Sequence, residues 1–224
     1  MVRTVVWLLF ALALPVGVAF SDLGGRPEIV LAACASAAWG GLASNNQSGF
    51  EGGAYWMNVV AGTDARSDLA GKNLALAAWV MAVVTAVAVA LAAVSGGWVW
   101  VPVTLLVSAG VLGVAIGVGN VFSVRAPQPM PTSNSNLFAA NTGQGCIGGL
   151  LQLLAVVSQG VLLLPVVGAV AAALAWWLPA MAIVVPVSLA WGYLCWRRGL
   201  AVAVRWLEPR HPEFLDSLSP RRTG

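Results

Sequence analysis

Long stretches without a charged residue constrain this chain more than any other feature. Eighteen uncharged residues lie between Arg3 and Asp22, 22 between Glu28 and Glu51, 52 between Lys72 and Arg125, and 71 between Arg125 and Arg197. A soluble globule needs a charged surface, and soluble domains carry roughly 25% charged residues. Here the figure is 8%, beside 59% hydrophobic residues. Such content excludes a disordered chain. Three cysteines in 224 residues exclude a disulfide scaffold. The remaining class is a polytopic, all-α integral membrane protein.

The gaps also measure the spans. A helix needs about 20 apolar residues to cross roughly 30 Å of hydrocarbon. The first two gaps hold one span each and the last two hold two each. The expected spans cover residues 5–20, 27–43, 74–94, 101–121, 147–164 and 179–196. Residues 166–178 are apolar but too short to cross alone, and read either as a re-entrant segment or as part of a long, tilted last span. A cleaved signal peptide is the rival reading of the first stretch, though its cleavage site is poor. With the N-terminus inside, Arg3, Arg66, Lys72, Arg125, Arg197, Arg198, Arg205, Arg210, Arg221 and Arg222 lie inside and Arg26 alone outside. This bias places both termini in the cytoplasm. The expected organisation is a transmembrane domain over 1–196, with cytoplasmic loops at 44–73 and 122–146, followed by a basic cytoplasmic tail over 197–224. The net charge of +3 then reflects anchoring to the inner leaflet of the bilayer, not a nucleic-acid surface.

The inner loop 44–73 is the longest polar segment between spans. Gly52-Gly53 and Gly62 punctuate it around a short apolar block, 54–61. Thr63 or Asp64 is suited to cap a helix starting near Ala65. Glu51-Gly52-Gly53, Met57, Thr63, Arg66, Leu69 and Gly71-Lys72, in this order, resemble the loop between the second and third spans of type 2 ABC exporter permeases. Gly117-Val118-Gly119-Asn120-Val121-Phe122-Ser123-Val124-Arg125-Ala126-Pro127 resembles the end of the fourth span in the actinobacterial-type branch of that family. Two departures accompany the resemblance. Ala61-Gly62 stands where the family has a proline, and the chain starts at Met1-Val2-Arg3 where the family has an amphipathic helix, as a truncated or divided permease would.

The resemblance implies a membrane-spanning exporter subunit, acting as a homodimer or paired permease with a separate ATP-binding subunit that carries ATP and Mg. The loop would then be a coupling helix over 53–60 that docks on the ATPase. Tyr55, Trp56 and Met57 would form the docking patch, since aromatic residues and Met are enriched at interface cores. Glu51 and Arg66 would position it, and Gly71-Lys72 would fix the foot of the third span. The chain has no ATP site of its own. A P-loop requires Gly-x4-Gly-Lys-Ser/Thr, whereas position 66 is Arg and position 73 is Asn.

Other chemistry is sparse. The expected spans hold almost no ionisable residue, which disfavours an ion-coupled carrier. His211 stands in the tail beside a proline, and Cys34, Cys146 and Cys195 lack metal-ligand spacing, so neither a catalytic nor a metal site is expected. Gln152 and Gln159 are two helical turns apart on one face, with Ser158 beside them. They either bond between helices or line a polar path. Gly113/Gly117 and Gly145/Gly149 are small-residue pairs suited to close helix packing. Pro179 and Pro186 would bend the last span. A membrane scaffold without ATPase docking is the alternative function, followed by a secondary carrier. A single lysine among abundant Ala, Val and Arg points to a GC-rich bacterial genome, and hence to a bacterial cell membrane.

Overall fold

The computed structural model describes residues 26–128, 145–210 and 213–214, and those residues are helical almost throughout. The first expected span, the expected loop residues 129–144, His211 and the end of the tail lie outside the described residues.

Helices α1 (Pro27–Leu31) and α2 (Cys34–Gly41) lead into a 3₁₀ segment, Leu42–Asn46. Next come α3 (Gln47–Glu51), a 3₁₀ turn (Gly52–Tyr55) and α4 (Trp56–Val60). Four long helices follow: α5 (Ala65–Ser95), α6 (Val101–Arg125), α7 (Gly145–Trp176) and α8 (Met181–Leu207). These four are long and apolar enough to cross a membrane. Only a helix satisfies its own backbone polar groups in hydrocarbon, which is why apolar runs of this length become helices.

Local chemistry sets their ends. Asp64 caps α5, accepting from the Ser67 amide at 3.1 Å. At the other end the Gly96 amide reaches the Ala92 carbonyl at 2.8 Å. Pro102 occupies the first turn of α6, where its missing N–H costs nothing. Pro127 pushes Ala126 out of helical geometry (φ −139°, ψ 56°) and ends α6.

Three sequence expectations need correction. The second span is not one long helix; tight turns at Ala32–Ala33 and Leu42–Asn46 divide it. The third expected span, 74–94, is the apolar part of a helix that starts at Ala65, where the cap at Asp64 places its beginning. Residues 166–176 are neither re-entrant nor part of the last span. They continue α7 through Pro165, and the break falls at Trp177. The last helix runs past residue 196 to Leu207, so the first part of the expected tail is packed helix.

α6 is the central helix. Gly110, Gly113 and Gly117 bring its backbone against Ser188, Gly192 and Cys195 of α8, and Gly199 meets Gly117 one turn on. The Gly113/Gly117 pair is thus part of a close seam. Gly149 is not, for nothing lies within 4 Å of its side-chain position. A large apolar core joins α1, α2, α5, α6 and α7 through Val30, Ala37, Val84, Leu112 and Leu163. A second buried cluster joins Tyr55, Ala65, Leu69, Val124, Leu200, Leu207 and Phe214 at one end of the bundle. Leu31, Ala173 and Met181 meet at the other. Arg66, Lys72, Arg125, Arg205 and Arg210 therefore share the first end, and Arg26 lies at the second.

Candidate functional site

The loop 44–73 folds into a braced platform at the positively charged end. Lys72 is its centre. Its Nζ donates to Asp68 Oδ2 at 2.6 Å and to Glu51 Oε2 at 2.8 Å, and sits 5.6 Å from the centre of the Tyr55 ring. Asn58 Nδ2 donates to Asp68 Oδ1 at 3.3 Å. Two carboxylates, one cation and an amide thus tie α3 and α4 to the foot of α5. Tyr55 stacks edge-on against Phe214, with ring centres 5.1 Å apart. Burial, and then the Asp68 and Glu51 carboxylates, push its phenol up to about 12.

α4 projects from this platform with no buried residue. Trp56 is 52% exposed and Met57 53%, and Val59 and Val60 are exposed beside them. The short helix is set off by two left-handed glycines, Gly52 (φ 52°) and Gly62 (φ 64°). A side chain with a Cβ is strained at both positions, so these two turns require glycine.

The expected docking residues separate on inspection. Trp56 and Met57 lie on the exposed helix. Tyr55 does not; at 2% exposure it belongs to the protein's own core. Glu51 is held by Lys72. Arg66 is exposed and makes no ion pair among the described residues. Gly52 makes the turn and Gly53 lies in the 3₁₀ segment after it. Gly71 is exposed with nothing within 4 Å, so the foot of α5 is fixed by Lys72 alone of the pair.

The chain matches no protein-family model, no curated protein and no solved structure. What the platform does has to follow from its own chemistry.

The three polar residues of the fifth span also part company. Gln159 is buried and donates from Nε2 to the Ala38 carbonyl at 2.9 Å, bridging α7 to α2. Gln152 and Ser158 are half-buried. Sequence reasoning passed over a larger polar group. Asn45, Asn73 and Asn120 are 2%, 3% and 0% exposed. Asn45 sits in a run, Ser44 to Ser48, that reads as a solvated loop, and Asn120 stands in an apolar span. The available signal was an amide inside an uncharged helical stretch, which must find a partner in hydrocarbon. The polar residues around them are well paired. Ser44 Oγ bonds the Gly41 and Ala115 carbonyls (2.6 and 3.2 Å), and the Ser48 amide bonds Ser123 Oγ (2.9 Å). Asn46 and Gln128 exchange two bonds of 2.9 and 2.8 Å, and Gln128 Nε2 reaches the Gly148 carbonyl at 2.7 Å.

Proposed function

We propose that the chain is the membrane-spanning permease subunit of an ABC-type exporter, moving an unidentified substrate when a separate ATPase subunit, which holds ATP and Mg, changes shape. α4 is the element that docks. One observation carries this reading: the apolar side chains of α4 lie exposed at the charged end of the bundle, on a helix held by a polar brace. Exposed Trp56 and Met57 suit a docked partner in this reading, and a seat at the lipid headgroups is the alternative for such side chains. The brace supplies what coupling needs, because a push on α4 passes through Glu51, Lys72 and Asp68 into a long helix.

In this reading the bundle has six spans with both termini cytoplasmic, in a bacterial cell membrane, and works as a homodimer or paired permease. The seam between α6 and α8 supports the pairing. These helices touch backbone to backbone, so no path runs between them. Much of α7 is exposed instead, including Leu150, Val157, Val161 and Leu164. Gln152 and Ser158, half-buried on that helix, are placed to line a path shared with a second protomer.

The test is a mild-detergent pull-down of the tagged chain from its native membranes, with ATP hydrolysis assayed on the eluate. A stoichiometric ATPase is expected with the wild type and should be lost with Trp56→Asp. That substitution puts a charge on an exposed surface and leaves the fold intact. Absence of an ATPase even after crosslinking through position 56 ends the permease reading and makes a membrane scaffold, and then a secondary carrier, the readings to test.

A further inference from the structure

Among the described residues, four amide side chains have neither their donors nor their acceptors met. Both polar atoms of Asn45, Gln47, Asn73 and Asn120 are buried without a hydrogen-bond partner among the described residues. A few isolated orphans are ordinary, but each one is unfavourable and calls for an account. These four are not isolated.

Their positions follow from the packing. Leu69 of α5 and Val124 of α6 meet in the apolar cluster at the charged end. One helical turn inward on each antiparallel helix stand Asn73 and Asn120, so the two amides occupy the same level. The segment carrying Asn45 and Gln47 is pinned to α6 on both sides of that level, by Ser44 on the Ala115 carbonyl and by Ser48 on Ser123. It is also antiparallel to α5. Gly40 lies against Val80 at its start and Glu51 on Lys72 at its end, which brackets Gln47 near the level of Asn73. The register thus puts the four amides in one layer of the bundle, between the apolar cluster of Leu69, Val124 and Leu207 toward the charged end and that of Val80, Leu112 and Ile116 toward the interior.

The layer's chemistry limits its ligand. Among the described residues it contains no carboxylate, ammonium, guanidinium or imidazole. The adjacent cation, Lys72, is already held by Glu51 and Asp68. A metal or alkali cation would satisfy the four amide oxygens and leave the four NH₂ groups unmet. An anion would do the reverse. A neutral group that donates and accepts from one small frame can satisfy both halves of an amide at once.

We propose that this layer is a binding site for small, neutral, hydrogen-bonding molecules carrying both donors and acceptors. That chemistry is shared by structural water and by a small amide or polyol solute. The site is distinct from α4, and the proposal stands whether or not α4 docks an ATPase.

The test uses the full chain in lipid nanodiscs with ¹⁵N-labelled asparagine and glutamine. Side-chain NH₂ signals are assigned by single Asn→Ser substitutions. Cross-relaxation with water is recorded, and acetamide and glycerol are then titrated separately. The expected result is long-lived water contacts at Asn45, Asn73 and Asn120. Saturable shifts of these signals with acetamide or glycerol would identify a solute site, and water contacts without such shifts a water site. Amide signals that show neither water contact nor solute shift overturn the proposal.

Discussion

The glycine seam between α6 and α8 predicts opposite outcomes for the same chemical change at two sites. A methyl group at Gly113 would lie 2.8 Å from the carbonyl carbon and oxygen of Gly192 and 3.1 Å from its Cα. Non-bonded carbons prefer about 3.5–4.0 Å, so the helices must part there by roughly 0.5–1 Å. A gap of that size forfeits about a quarter to a half of the dispersion energy of each neighbouring contact. Overpacking of this kind typically costs about 1–3 kcal/mol. Alanine's helical preference over glycine offsets up to ~1 kcal/mol of it. Gly113→Ala should therefore destabilise by about 1–2 kcal/mol. Gly71→Ala makes the same change on an exposed stretch of α5 with nothing within 4 Å, and should stabilise by about 0.5–1 kcal/mol. Gly113→Ala and Gly117→Ala together should cost less than their sum, since one separation relieves both. The assay is reversible unfolding of the purified chain in mixed micelles with increasing SDS fraction, followed by tryptophan fluorescence. If Gly113→Ala matches or exceeds Gly71→Ala in stability, α6 and α8 do not touch as described and the reasoning fails.

Three further outcomes follow from the platform. Lys72→Met leaves Glu51 and Asp68 facing each other without their cation, and should cost about 1–3 kcal/mol in the same assay, with faster proteolysis over 52–64. Asp64→Ala removes the cap of α5; a loss of about 1 kcal/mol is expected, with faster amide exchange at Ser67. Tyr55 holds its proton more tightly when folded, to about 12 against 10.0 for the free phenol. Its contribution is therefore complete below pH 10 and is lost as pH climbs toward 12. Tyr55→Phe should flatten the alkaline loss of stability over that window, and the wild-type-minus-variant absorbance at phenolate wavelengths should show ionisation only above the ordinary tyrosine range.

How much of this was legible in the sequence depends on what each feature rests on. Missing charges locate α5, α6, α7 and α8, because the cost of a charge in hydrocarbon is large and local. Asp64 and Ala65 are readable as cap and helix start, since capping needs only neighbouring residues. The divided second span is not readable. Ala32 and Ala33 carry no turn chemistry, and their geometry is set by packing against α5 and α6. Pro165 misleads in the opposite direction. A proline looks like a boundary, yet within an apolar helix the freed carbonyl can be met by neighbouring groups and the helix continues. In the candidate site, Trp56 and Met57 were legible as an apolar patch in a polar loop. Tyr55 was not separable from them, because its burial depends on Phe214, far along the chain. Asn45, Asn73 and Asn120 come from three segments, and nothing local says that they share a level.

The length of α5 has a mechanical consequence. Thirty-one residues without a break make a rod of about 46 Å, longer than a bilayer's hydrocarbon is thick. Its foot is gripped by Lys72 through Glu51 and Asp68, and its far end is Gly96. Rotation of such a rod about its midpoint by ~5° moves each end by about 2 Å in opposite senses. A displacement at α4 too small to break the Lys72 bridges would thus reappear, reversed, at the opposite membrane face. In the permease reading, one uninterrupted helix would supply the gearing for long-range motion.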